Sequence, residues 1–105
     1  MRPWRVAVSG HSMEPVLREG DWVLVLPPRA LPRPGEVVLV RDPRERSRLL
    51  LKRVAQIAPG GCLVIGDRPD HSTDSRVFGA IPFEDVVGRA AFRYAPLRRL
   101  GRLRA

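Results

Sequence analysis

Residues 36–65 read EVVLVRDPRERSRLLLKRVAQIAPGGCLVI and contain three apolar runs separated by turn-forming residues. The Val-rich run Glu36–Arg41 predicts one strand, and Leu49–Ala58 predicts the strand that returns beside it. The charged segment between them, Asp42–Arg48, carries a proline and predicts a solvent-exposed hairpin connection. A Pro-Gly-Gly triplet then indicates a tight turn before a third strand, Cys62–Ile65. This stretch therefore predicts consecutive antiparallel strands.

The remaining chain contains three more strand-like runs, Trp4–Val8, Trp22–Leu26 and Val86–Tyr94. Pro27–Gly35 contains four prolines and one glycine, which predicts a loop. Asp67–Gly79 is polar and predicts a second long loop. Six short strands without a long helix predict an all-β fold, a single-domain, coiled, partly closed antiparallel β-barrel. We assign residues 1–95 to this domain and residues 96–105 to a basic C-terminal tail.

Length and composition fit one globular domain, since the chain has 105 residues of which 44% are hydrophobic. No run approaches the roughly 20 apolar residues that span a bilayer, and no secretory signal is visible, so we expect a cytoplasmic or membrane-peripheral protein. The single cysteine, Cys62, excludes an internal disulfide and is expected to be buried. The two histidines and Cys62 lack metal-ligand spacing, so we expect no metal and no cofactor.

The net charge of +8 raises nucleic-acid binding as an alternative function. However, the arginines are scattered over strand ends and turns, and only six aromatic residues are available to stack on bases. We therefore expect no nucleic-acid partner, and a non-enzymatic basic β-barrel that binds RNA or DNA stays the alternative outside the enzymes.

The tail reads PLRRLGRLRA over residues 96–105, with leucines every three residues and arginines between them. Such a pattern favours peripheral contact with an anionic membrane surface. A frayed, solvated tail is the alternative, because about ten residues make a marginal helix and Gly101 weakens it further.

Lys52 is the only lysine, since every other one of the 19 basic residues is arginine. A desolvated lysine can lose its proton and act as a base, whereas arginine stays protonated in any protein environment. A serine that attacks a carbonyl needs such a base, and the segment Ser9–Pro15 offers Ser12. Beside it, Gly10 permits close backbone approach. Met13 suits a place beneath a bound peptide, as a substrate-binding residue, or in the core beneath the serine.

Three motifs carry a family resemblance, and all lie between residues 9 and 90. They are Ser-Met-x-Pro at 12–15, Leu51-Lys52-Arg53-Val54, and Gly66-Asp67-x4-Ser72-x-Asp74-Ser75-Arg76-x2-Gly79. Together with Gly88-Arg89-Ala90 and in this order, they resemble the signal peptidase I family.

The resemblance implies a β-rich serine endopeptidase in which Ser12 is the nucleophile and Lys52 is the general base. It further implies that Ser72 orients the lysine and that Asp74 and Arg76 brace the site. A loop-capping hydroxyl at Ser72 and a purely structural Asp74–Arg76 ion pair are the alternatives.

Two positions depart from the family pattern. Gly10 stands where some members carry a hydroxyl that donates to the oxyanion, so we expect backbone N–H groups in the region of Gly10 and Ser12 to form the oxyanion hole. Arg68 stands where the third motif usually has Asn.

Strand alternation predicts the surroundings of Lys52. Leu50 and Val54 share its face, and burial among them is expected to lower the pKa of the amine. Arg53 points the other way, to solvent or to the region of Asp74.

The resemblance also implies the substrate class, a protein with an N-terminal leader or signal peptide. Short relatives without a membrane anchor resemble the maturation protease of nickel-containing superoxide dismutase, which is the favoured subtype. A peripheral or truncated signal peptidase is the alternative subtype. A LexA-like self-cleaving Ser-Lys domain is the alternative among enzymes of this chemistry. A Ser-His-Asp arrangement that uses His71 and Asp74 is a further alternative, which leaves the solitary lysine unexplained.

Overall fold

The computed structural model describes residues 4–96 and 99–103. In these ranges the chain forms eight strands, one α-helical turn and two 3-10 turns. The 3-10 turns are Pro69–His71 and Phe83–Asp85, and the helical turn α1 is Ser75–Phe78. The strands are β1 (Trp4–Ala7), β2 (Trp22–Leu26), β3 (Val37–Asp42), β4 (Glu45–Ala58), β5 (Gly61–Ile65), β6 (Ile81–Pro82), β7 (Val86–Ala95) and β8 (Gly101–Arg102).

All eight strands of the described chain form one antiparallel sheet in the order β1-β2-β7-β3-β4-β5-β6, with β8 paired to β7. This confirms the predicted all-β, single-domain antiparallel fold. Strands β1 and β6 stand at opposite ends of the order and do not pair with each other, so the sheet is not closed. The 14-residue strand β4 pairs with β3 and then with β5.

The β3–β4 connection is shorter than predicted, and Asp42 explains the difference. Its buried carboxylate accepts a hydrogen bond from the backbone N–H of Arg44 at 2.9 Å and two from the guanidinium at 3.1 and 3.0 Å. These contacts turn the chain within Pro43–Arg44, and β4 begins at Glu45 rather than at Leu49.

Strand β3 holds the core together because both of its faces are buried. Val37 and Leu39 pack into one apolar cluster with residues of β2, and Val38 and Val40 pack into a second cluster with residues of β4 and β5. The continuous Val-rich run is therefore typical of a strand covered on both sides. The buried Cys62 belongs to the second cluster.

The described part of the tail is attached to the domain, which differs from both the helix and the frayed segment considered above. Gly101–Arg102 pairs with β7, and the backbone N–H of Leu103 donates to the carbonyl of Ala91 at 3.1 Å. The Arg99 guanidinium donates to the carboxylate of Asp21 at 3.1 Å. Because Asp21 is only 2% exposed, Arg99 neutralises a carboxylate that the domain buries. Leu97, Arg98 and Arg104 lie outside the described residues.

Candidate active site

Lys52 lies in the middle of β4 and is only 3% exposed. Leu50 and Val54 flank it in the second core cluster, as the strand alternation predicts. Its Nζ donates a hydrogen bond to Ser72 Oγ at 2.9 Å. Burial lowers the pKa of the amine. The nearby Asp74 carboxylate raises this pKa, and three arginines lower it further, namely Arg44, Arg48 and Arg76.

The carboxylate of Asp74 accepts hydrogen bonds from several groups near the lysine. It is fully buried, and it accepts hydrogen bonds from Ser72 Oγ at 3.2 Å and from the backbone N–H of Gly66 at 3.0 Å. The Arg76 guanidinium donates to it twice, at 2.9 and 2.8 Å, and the backbone N–H of Arg76 donates at 3.1 Å. Burial alone raises the pKa of Asp74, but these donors outweigh it and hold the pKa well below its ordinary value. Asp74 therefore stays ionised.

The segment predicted as one polar loop over Asp67–Gly79 contains the first 3-10 turn and α1. The same Asp74 side chain caps α1 through the backbone N–H of Arg76. The next residue, Ser75, accepts a hydrogen bond from the backbone N–H of Val64 in β5 at 2.8 Å. Sequence reasoning gave Ser75 no role, and its place in the third motif was the only signal for this anchoring contact.

Ser12 lies half-buried in a turn that follows Gly10, whose φ of 81° is in the region that favours glycine. The carbonyl of Ser12 accepts a hydrogen bond from the backbone N–H of Arg68 at 2.8 Å. A Cβ atom at Gly66 would lie 2.8 Å from this carbonyl and 2.1 Å from Ser72 Oγ. The Ser12 backbone and the Ser72 hydroxyl are thus neighbours, and only a glycine fits between them.

Within the described residues, no hydrogen bond joins Ser12 to Lys52, and the amine donates to Ser72 Oγ instead. Met13 is 2% exposed and packs into the first core cluster beneath the turn, and it also contributes to the floor of the adjoining cleft. It therefore anchors the turn of Ser12 to the core.

A cleft of about 440 Å³ runs past this turn. One wall is the free edge of β1, which pairs only with β2. The opposite wall is β4 over Leu49–Leu51, which pairs with β3 on one side and precedes the β5 pairing that begins at Arg53. Two strand edges thus face each other across the cleft, an arrangement that suits an extended peptide.

Comparison with known proteins agrees with this geometry. A family model described as signal peptidase, peptidase S26, matches residues 4–59 and 55–95. The chain belongs to this family. The match extends over β1 to β7, so it includes Ser12, Lys52 and the loop that carries Ser72.

Several curated signal peptidase relatives cover much of the chain. Mitochondrial inner membrane protease subunit 1 of Xenopus tropicalis is 29% identical over 94% of this chain and 73% of its own length. Mitochondrial ATP-independent inner membrane protease subunit 1a of Arabidopsis thaliana is 35% identical over 67% of the chain and 55% of its own length. Thylakoidal processing peptidase 1 of the same plant is 34% identical over 77% of the chain and 23% of its own length. This signal peptidase is therefore a serine endopeptidase that removes leader peptides from proteins.

No helix in residues 4–96 and 99–103 combines the length and the apolar character that crossing a bilayer requires.

The structure also shows the contacts of Arg53 and of His71, the histidine of the disfavoured Ser-His-Asp alternative. Arg53 does not reach Asp74, since its guanidinium forms a pair of 2.8 Å hydrogen bonds with Asp67 and another with the carbonyl of Gly35. His71 does not approach Asp74 as a Ser-His-Asp arrangement would require. Its ring lies 3.6 Å from Asp70, while the described donors to Asp74 come from other residues.

A cluster of charged side chains joins the turn of Ser12 to the loop of Ser72, and sequence reasoning missed it. The Glu14 carboxylate forms hydrogen bonds with His11 Nδ1 and with the Arg68 guanidinium, each at 2.5 Å. Arg68 thus holds the turn at two points, through its backbone N–H at Ser12 and its side chain at Glu14. The departure from the family pattern at Arg68 was the available signal.

We expect Glu14→Gln or Arg68→Gln to lower kcat for leader cleavage about 3- to 10-fold while Tm changes little. An exposed ion pair contributes only about 0–1 kcal/mol to stability, but small displacements of a nucleophile are costly to rate. Steady-state kinetics and thermal melts of each variant measure the two effects.

The double variant should lose no more than either single variant if both act through one contact. Arg29→Gln is the matched control, because it removes an Arg–Glu pair with Glu36 outside the cleft. Additive losses, or an equal loss in the control, would contradict this function for the Glu14–Arg68 pair.

Proposed function

We propose that Ser12 is the nucleophile and Lys52 the general base of this signal peptidase. The observation that carries the proposal is the buried amine of Lys52, held by Ser72 at 2.9 Å beside the backbone of Ser12. An ordinary lysine has a pKa of about 10.4 and is almost wholly protonated at neutral pH. Burial lowers the pKa of Lys52 and so favours the neutral amine that a base requires.

The chemistry proceeds in two halves. Neutral Lys52 accepts the Ser12 proton while Oγ attacks the scissile carbonyl, and the resulting ammonium then protonates the leaving amine. A water molecule, deprotonated by the same lysine, hydrolyses the acyl-enzyme and restores Ser12. The Ser12 hydroxyl turns towards the amine when substrate fills the cleft, since catalytic hydrogen bonds often tighten only in the substrate complex.

Supporting groups fix the direction of each partner. Ser72 accepts from Lys52 and donates to Asp74, which orients the amine, while Arg76 keeps Asp74 ionised. Backbone N–H groups in the region of Gly10 and Ser12 stabilise the oxyanion, for which the positive φ of Gly10 shapes the turn. Met13 supports the turn from below and forms part of the substrate floor.

We expect Ser12→Ala and Lys52→Ala each to reduce leader cleavage at least about 1,000-fold, because nucleophile and base act as a unit. The assay follows cleavage of a leader-bearing precursor by mass spectrometry. Lys52→Met should be equally inactive yet melt at a higher temperature, since it replaces a desolvated amine with an apolar side chain of similar length. Near wild-type cleavage by Lys52→Ala would refute the assignment.

The pH dependence of cleavage provides an independent measurement. The rate should rise with pH as Lys52 loses its proton, and the lowered pKa places this rise below that of a free amine. Arg48→Gln removes a positive charge that lowers the pKa of Lys52. The acid limb of the pH–rate profile should therefore move to higher pH. An acid limb that stays in place or moves to lower pH would contradict this role of Arg48.

The proposed substrate is the leader-bearing precursor of nickel-containing superoxide dismutase, the substrate of the subtype favoured by the sequence analysis. The leader binds extended between the edges of β1 and β4 and offers small side chains before the cut. This precursor is the first substrate for the assay above, with a synthetic leader peptide as the second.

Peripheral contact with an anionic membrane is proposed for the surface beside β8. Leu100 and Arg102 are exposed there, whereas Arg99 and Leu103 pack on the domain. Each basic residue near anionic lipid contributes about 1 kcal/mol. We expect Leu100→Asp to reduce co-sedimentation with anionic liposomes; unchanged sedimentation would contradict the contact. Truncation at Ala95 is unsuitable because it also removes Arg99.

A further inference from the structure

The charge of the catalytic cleft is one-sided. The described lining of the cleft contains no carboxylate. Its titratable side chains are two guanidinium and two imidazole groups, those of Arg44, Arg48, His11 and His71. His11 is paired with Glu14, Arg44 with Asp42, and His71 lies beside Asp70. Arg48 forms no hydrogen bond or ion pair with the described part of the chain. Its guanidinium is therefore available to a ligand in the cleft.

Arg48 has a fixed place relative to the proposed base. It precedes Lys52 by four residues on β4, beside the register irregularity that follows the Arg41–Leu49 pair, and it lines the same cleft as Leu50. At about 3.3 Å per residue, the two backbone positions are about 13 Å apart along the strand. The positive charge of Arg48 also lowers the pKa of Lys52, which agrees with this proximity.

The free edge of β4 determines which residue of a bound peptide lies beside Arg48. Between Leu49 and Lys52 the strand pairs with β3 only, and the other edge faces the cleft. A peptide that adds to this edge runs residue for residue along β4. The peptide side chain about four residues from the cut then lies beside Arg48.

We propose that Arg48 selects leader-bearing substrates with an acidic side chain about four residues from the scissile bond, on the side of the β3–β4 hairpin. This inference rests on the proposed function, since it takes the cut to lie at Lys52 and Ser12. The acidic side chain pairs with a guanidinium that has no hydrogen bond or ion pair to residues 4–96 and 99–103, and a basic side chain at the same position is repelled. Arg48 is thus a specificity-determining residue, in addition to its effect on the pKa of Lys52.

The test uses one leader peptide with Glu, Gln or Lys placed in turn about two to six residues on either side of the cut, a range set by the strand spacing. An exposed ion pair corresponds to about a two- to five-fold effect, so kcat/KM for Glu should exceed that for Lys by about ten-fold at the favoured position. The preference should occur on one side of the cut only, and 1 M salt should diminish it.

Arg48→Glu should reverse the order so that Lys is preferred. Arg33→Glu is the matched control, because it makes the same charge change at an exposed arginine outside this cleft and should leave the order unchanged. Equal rates for Glu and Lys at every position, or an order that Arg48→Glu leaves intact, would overturn the proposal.

Binding separates this inference from the proposed function. Fluorescence anisotropy of the labelled peptides on Ser12→Ala measures the Glu-to-Lys preference without cleavage. If Ser12→Ala still cleaves at the wild-type rate, the proposed nucleophile is wrong, and the affinity ratio still decides the role of Arg48. If Ser12→Ala is inactive and its affinities do not depend on peptide charge, only the selectivity proposal fails.

Discussion

The buried carboxylate of Asp74 is the interaction on which the site depends. Its donors come from Ser72, from Arg76 and from the backbone of Gly66, so a single charge organises the whole loop. Gly66 in turn fits against the carbonyl of Ser12, and Ser72 holds the amine of Lys52. The two proposed reacting residues lie 40 positions apart in the chain, and one carboxylate positions a neighbour of each.

The electrostatics around Lys52 balance opposing effects. Burial lowers the pKa most, and the negative charge of Asp74 opposes it. Arg76 neutralises much of that charge by binding the same carboxylate, so Asp74 can organise the loop without fully restoring the protonated amine. The use of arginine for every other cation leaves Lys52 as the side chain in which a basic group can become neutral.

Local pattern predicted the strands well and the contacts between distant segments poorly. The Val-rich run of β3 and the apolar runs of β2 and β7 were recognisable because their burial follows from composition and alternation. The two-residue strands β6 and β8 are too short for any periodic signal. The early start of β4 depends on Asp42, whose capping contacts are invisible to hydropathy.

For the site as well, the sequence identified residues better than it identified their contacts. Motif resemblance named Ser12, Lys52 and the residues of the third motif together, but it could not assign partners. Arg53 reaches Asp67 rather than Asp74 because the loop after β5 folds back beside β4. The Glu14–Arg68 pair spans 54 residues and exists only once that loop lies against the turn of Ser12. Such contacts are set by tertiary geometry, which sequence spacing does not contain.

The free edges of β1 and β4 that line the cleft limit which proteins the enzyme can cleave. In the proposed mode of binding, a substrate segment forms backbone hydrogen bonds with both edges, so it must be extended and unpaired on both sides. A strand inside a folded sheet already has its N–H and C=O groups occupied. A folded mature domain therefore protects itself from cleavage without any inhibitor. An unfolded segment meets the requirement, so the proposed mode of substrate binding favours proteolysis in the part of the precursor that has not yet folded.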